Sequence, residues 1–150
     1  MSHTFANVVL HVIFSTKDRR PLIDDALRPQ LFEYMGGIAR NEFGKALVIG
    51  GSGNHVHGLL SLNTDIAIGQ AMSKLKSLSS GWVHRTFSHA ADFAWQSGYG
   101  AFSVSASRLH EVERYIARQE EHHKTVSFEE EFQKFLVRHG VKFDPAKIWD

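Results

Sequence analysis

The order in which hydrophobic periodicity changes along the chain is its tightest structural constraint. Phe5 to Thr16 holds Val8, Val9, Leu10, Val12, Ile13 and Phe14, a β-branched run of strand length, closed by the polar turn Lys17-Asp18-Arg19-Arg20-Pro21. Leu27, Leu31, Met35 and Ile38 then recur at helical spacing behind a cap at Asp24 or Asp25, and Pro29 fits only in or near the first turn. Gly36-Gly37 weakens that helix but suits a close backbone approach. Ala46 to Gly50 and His55 to Leu62 read as two short strands joined by the turn Gly51-Ser52-Gly53-Asn54. Ile68, Met72, Leu75, Ser79 and Trp82 mark a longer helix, and Ala101 to Ser105 a further strand after Gly98-Tyr99-Gly100. A helix from about Arg108 to His123 follows, capped by Ser107, and another from Ser127 to about His139 is closed by Gly140. Strand, helix, strand, strand, helix, strand, helix is a βαββαβ core with an addition. The expected fold class is therefore α+β: a ferredoxin-like antiparallel sheet with helices on one face, plus a C-terminal helix and tail. One domain is expected over residues 1–150, with a core of about 5–123 and a helical appendage of about 124–150.

Composition narrows the class. A chain of 150 residues buries roughly 70% of its unfolded surface and needs no covalent staples. It has no cysteine, which excludes disulfides, thiolate metal sites and a cysteine nucleophile and fits a reducing compartment. No apolar run approaches the roughly 20 residues of a membrane span, and Met1 to Asn7 lacks the pattern of a signal peptide. A cytoplasmic, bacterial-type location is the expectation. Net charge is only +1, with the positive excess in residues 1–110 and net acidity beyond, so a polyanion would have to be held by a local patch. Ten histidines are a high count and hint at metal or phosphate chemistry.

His55-Val56-His57 is where that chemistry concentrates. Residues i and i+2 of a strand share a face, so two imidazoles point together as a half-site for a divalent cation or as donors to a phosphate. Tyr115 and Gln119 lie one turn apart on the helix after the last strand. Gln119 offers a carbonyl oxygen to a cation, and Tyr115 a hydroxyl that attacks phosphorus once its proton is removed. His122, on the same face, could be a third imidazole, a general base or a cation at a helix C-terminus; the last is preferred. His3, His84, His89, His110, His123 and His139 lack patterned partners and read as surface residues. Lys17, Arg19 and Arg20, with Lys74, Lys76 and Arg85 on the second helix beside Ser77 and Ser80, form the candidate substrate patch, a mixed basic and hydroxyl face that suits phosphate. Trp95, Tyr99 and Phe102 could stack bases or belong to the core.

These stretches together resemble the single-tyrosine HUH transposases of the insertion-sequence-200 class, including their repeat-associated relatives. The resemblance covers nearly the whole chain. It is carried by Val12-Ile13-Phe14-Ser15-Thr16-Lys17 with Arg19-Arg20-Pro21, Asn54-His55-Val56-His57, Lys74-Leu75-Lys76, Trp95 through Ser105, Tyr115 through His123, and the closing Ile148-Trp149-Asp150. It implies a dimer acting on single-stranded DNA with hairpin ends. It implies that His55, His57 and Gln119 bind Mg²⁺ or Mn²⁺, and that Tyr115 attacks the DNA backbone to give a 5′-phosphotyrosine link and a free 3′-hydroxyl, which later rejoins strands without a nucleotide cofactor. In such proteins the tyrosine helix can lie against the partner subunit's histidine pair, with a hinge here around Ala106-Ser107. Two departures stand out: Asn54 where the family often has aspartate, and Leu78 where it often has a basic residue. Imidazole is a softer ligand than Mg²⁺ prefers, so other divalent ions fit as well. Histidine-triad hydrolases are excluded by Leu59, and two-histidine phosphoesterases by the lack of paired His-x-Ser/Thr motifs. The competing reading is a catalytically retired relative that binds structured single-stranded DNA or RNA without cutting.

Overall fold

The computed structural model describes residues 3–149; Asp150, the last residue of the closing motif, lies outside them. Strand β1 (Val9–Ser15) pairs antiparallel with β3 (His55–Leu62) on one side and β4 (Gly100–Ser103) on the other, and β2 (Gly44–Gly51) pairs antiparallel with β3. The sheet order is β2-β3-β1-β4, the ferredoxin-like arrangement. A bulge around Leu47 shifts the β2–β3 register, so that Val48 faces Leu59 and Gly50 faces His57.

Side-chain alternation divides the molecule into two layers around the sheet. Leu10, Val12 and Phe14 of β1 and Val56, Leu60 and Leu62 of β3 face helices α1 (Leu27–Glu42) and α2 (Ile68–Thr86) in the main core. The four spaced residues Leu27, Leu31, Met35 and Ile38 are all buried there. The Asp24 carboxylate accepts from Leu27 N at 2.8 Å, starting α1 as its spacing required, and Pro29 sits in the first turn. On α2 the stripe is Met72, Leu75, Ser79 and Val83; Ile68 is exposed, and Trp82 stacks on Tyr34 with ring centroids 4.5 Å apart. Trp95 and Phe102 belong to the packed interior, which leaves Tyr99 as the exposed aromatic of the three stacking candidates.

The opposite face of the sheet carries Val9, His11 and Ile13 of β1 with His55, His57 and Leu59 of β3. It is covered by α3 (Leu109–Ala117), the short α4 (Gln119–His122) and α5 (Phe128–Arg138). The helix expected over 108–123 is therefore two helices, broken at Arg118. It is preceded by a 3₁₀ turn at Ala106–Arg108 in which Ser107 does not cap. Ser127 does cap α5, accepting from Glu130 N at 3.2 Å. Among the described residues no helix is long and apolar enough to cross a membrane, and residues 141–149 beyond α5 form irregular chain and turns.

Candidate active site at the histidine pair

The site is assembled by a glycine. A Cβ on Gly50 would collide with the Ile116 carbonyl oxygen, so only glycine lets the α3 backbone seat directly on β2. That contact is a close backbone approach between helix and sheet, whereas a Cβ on Gly36 or Gly37 would meet only the end of the Arg40 side chain, at 3.9 and 3.6 Å. Seated there, α3 brings the Tyr115 ring to 5.9 Å from the His57 ring, centroid to centroid, within one chain. Past the break at Arg118, Gln119 is fully buried with Oε1 3.2 Å from His55 Nε2. His55 and His57 are themselves fully buried. The four side chains singled out in the sequence thus converge.

Three further groups join them. Helix α5 crosses the site, stacking Phe128 on His55 and placing the Glu131 carboxylate among the imidazoles. Glu131 Oε1 lies 2.9 Å from His57 Nε2, 3.0 Å from His123 Nε2 and 3.7 Å from His55 Nε2. Its other oxygen accepts the Tyr115 hydroxyl and lies 3.3 Å from His122 Nε2. His123 is therefore an interior residue, not the surface histidine its lack of sequence partners suggested. His122 faces Tyr115 and Glu131 from a partly exposed position, with Nε2 3.5 Å from the phenol oxygen. His84, His89 and His139 are also engaged, with the Phe93 carbonyl, Asp24 and the Phe135 carbonyl respectively. Buried His11 shares a hydrogen bond with His57 Nδ1 at 2.7 Å. Two of these had a legible signal. Glu131 sits on the apolar stripe of α5 with Phe128, Phe132 and Phe135, and His11 sits between Val9 and Ile13 on the same inward face of β1.

The electrostatics suit a cation. Burial drives the His55 pKa down to about 3, aided by neighbouring His57 and His123. Burial also lowers His57, against the pull of Glu131, and lowers His11 well below the ordinary range. Burial opposes ionisation of Glu131, but hydrogen bonds from His123, His57 and Tyr115 outweigh it and hold the carboxyl far below the usual carboxylate range. Tyr115 is pushed up by burial and by its bond to that carboxylate. The centre thus combines neutral imidazoles with an anion. Asn54 Oδ1, oriented by its own amide donating to the Arg19 carbonyl, accepts from His55 Nδ1 at 2.9 Å. That network assigns the proton to Nδ1 and leaves the His55 Nε2 lone pair facing Gln119 Oε1 and Glu131 Oε1. Inward-facing Nε2 atoms on rings fixed through their rear nitrogens suit a divalent cation, and Asn54 supplies the rear acceptor of His55 without the charge of an aspartate.

A cavity of about 250 Å³ opens onto Tyr115 and Glu131 and is lined by the cations Arg108, Lys134 and Arg138, none of them in the expected DNA patch. The patch residues are spread out and largely engaged. Arg19 pairs with Glu129 at 3.0 Å and lies over the Trp149 ring, Arg20 pairs with Asp92, and Lys74 pairs with Glu42. Lys76 donates to the Gly98 carbonyl at 2.8 Å, while Lys17 and Arg85 are exposed.

Residues 4–119 match the family described as "Transposase IS200 like". Among solved structures, a protein of Deinococcus radiodurans R1 assigned as a transposase is 21% identical, with a TM-score of 0.62 over 80% of this chain and 96% of that one. A REP-associated tyrosine transposase bound to a REP hairpin is 13% identical, with a TM-score of 0.56 over 77% of this chain and 70% of that one. No curated protein matches. The two structures share the fold. With the family match running from before β1 through Gln119, it follows that the chain belongs to the IS200-like transposase family.

Proposed function

We propose that this transposase cleaves and rejoins single-stranded DNA through a tyrosine–DNA intermediate, with Tyr115 as nucleophile and His55, His57 and Gln119 holding a divalent cation, Mg²⁺ or Mn²⁺. The observation that carries the reading is the convergence of a phenol, two buried imidazoles and a buried amide oxygen within one chain. When bound, the cation polarises the scissile phosphate and neutralises its charge. Tyr115 Oη forms a bond to phosphorus as the bond from phosphorus to the 3′-oxygen breaks. The phenol proton passes to His122, whose Nε2 lies 3.5 Å from the phenol oxygen, and from there to the leaving 3′-oxygen. Rejoining runs the same exchange backwards with a 3′-hydroxyl as attacker. Arg108, Lys134 and Arg138 around the cavity hold the phosphates on either side of the cut.

Likeness to a transposase bound to a REP hairpin supports DNA hairpins as the partner. Homodimer assembly belongs to this reading, as does a core of residues 5–123 with an appendage over 124–150 that brings Glu131 to the site. Incubation with hairpin-bearing single-stranded DNA and Mn²⁺, resolved on a denaturing gel, is expected to give a covalent protein–DNA band. Tyr115→Phe abolishes the band while binding persists, and His57→Ala also removes it. Persistence in Tyr115→Phe rejects the nucleophile. Binding without any band in the wild type supports instead a relative that holds nucleic acid without cutting.

A further inference from the structure

We propose that the cleft between α2 and the loop of residues 94–99 seats one unpaired nucleotide of the bound DNA, with its phosphate on Lys76 and its base against Tyr99. The inference rests on the reading that the protein binds single-stranded DNA. The cleft lies on the α2 side of the sheet, away from the histidine pair, so the nucleotide it holds is not the one being cut. Its volume is about 440 Å³, and among the described residues no acidic side chain lines it.

Lys76 supplies the charge. Its half-buried amine donates to the Gly98 carbonyl at 2.8 Å and lies 5.5 Å from the centre of the Phe14 ring, so both fixed contacts are neutral. An ammonium drawn partly out of water without a counter-ion favours an anion that enters from solvent. Ser73, Lys76, Ser77 and Ser80 recur at helical spacing on one face of α2, which sets hydroxyl donors beside the ammonium, as a phosphate requires. The facing loop is fixed before any ligand arrives. Thr16 bridges Trp95, Lys17 N donates to the Ala94 carbonyl at 2.9 Å, and Gln96 N donates to the Ser15 carbonyl at 2.9 Å. Gln96 Oε1 accepts from Ser15 N, so this amide offers the cleft only its N–H donors, and Trp95 donates its indole N–H to Ser79 Oγ at 3.0 Å. Tyr99 is the exposed ring of the lining, at 39%, with its hydroxyl beside the first turn of α2, 3.8 Å from where a Cβ on Gly69 would stand. A free aromatic face next to a cleft of donors suits a base whose own face is free, and the bases inside a duplex have theirs stacked, so the nucleotide is an unpaired one.

The test is equilibrium binding of the full-length protein to a fluorescently labelled DNA hairpin with single-stranded flanks. It is run with Mn²⁺ in the Tyr115→Phe background, where DNA is bound and not cut. Binding is measured across salt concentrations, and across a series of DNAs in which each unpaired nucleotide in turn lacks its base. The parent is expected to lose affinity at one position of that series, away from the cut. Adding Tyr99→Ala lowers affinity for the intact DNA by roughly 5- to 150-fold and removes the sensitivity at that position. Adding Lys76→Met instead flattens the slope of log affinity against log salt by about 0.7, the share of one phosphate on a single strand. Tyr99 is exposed and methionine keeps the length of the lysine stem, and circular dichroism checks that both variants are folded. If Tyr99→Ala keeps the base sensitivity of the parent and Lys76→Met keeps its salt slope, the nucleotide seat is overturned while DNA binding stands. A parent that binds none of these DNAs removes the underlying reading as well.

Discussion

At the scale of single residues, the rear nitrogens of the histidines matter as much as the ones that face inward. His11 hydrogen-bonds to neither phenol nor carboxylate, yet it fixes the His57 ring through a buried 2.7 Å bond. His11→Ala leaves His57 Nδ1 unpaired in the interior, at a cost of about 1–3 kcal/mol in stability. It should also lower Mn²⁺ affinity by roughly 10–100-fold, read by titration, with partial rescue by His11→Gln. Unchanged metal affinity would reduce His11 to a packing residue. Lys76 is a separate case on the other layer. Its amine is half-buried over the Phe14 ring, and burial pulls its pKa from 10.5 to about 8. Between those values the unfolded chain holds the extra proton, so stability rises with pH across the window. Below about 8 the burial penalty is felt in full, and above 10.5 it is gone. Lys76→Met is expected to flatten that rise in urea melts on either side of pH 8. An identical slope in the variant would place the titration elsewhere.

At the scale of elements, the site depends on how closely two helices lie on the sheet. Helix α3 sits at the distance Gly50 permits. Gly50→Ala forces the Ile116 carbonyl away, costing about 1–3 kcal/mol or more by overpacking, and moves Tyr115 relative to the histidines. Thermal melts should show the destabilisation, and the covalent DNA band should fall further than stability alone explains. Helix α5 is held by Phe128, Phe132 and Leu136 against Ile13 and Phe102, and by its Ser127 cap. Ser127→Ala removes about 0.5–2 kcal/mol from this helix. Hydrogen exchange should then speed up in residues 128–138 while β1 and β3 keep their protection. The spacing of Leu27, Leu31, Met35 and Ile38 already contained α1, because each residue meets the same core layer. The break at Arg118 had no such signal, since Tyr115, Gln119 and His122 fit an unbroken helix equally well. What divides α3 from α4 is their seating on β2, a contact distant in sequence.

At the scale of the whole molecule, each chain presents Tyr115 to its own histidine pair. Mixing Tyr115→Phe with His57→Ala should therefore give no covalent band, whereas exchange of the tyrosine helix between subunits would restore one. The element order alone determined the ferredoxin-like sheet, because β-branched runs and helical stripes have few ways to cover one another. The His-x-His alternation and the Tyr-x-x-x-Gln turn likewise determined which side chains could share a face, since strand and helix periods are local properties of the backbone. What surrounds them was decided only in three dimensions. Glu131 reaches the site because α5 packs on the far layer of the sheet, His123 because α4 ends beside it, and the cations beside Tyr115 come from α5 and the turn before α3 rather than from the basic turn and α2. Local periodicity assigns a residue to a face of its own element; which element that face meets depends on packing between segments far apart in the chain.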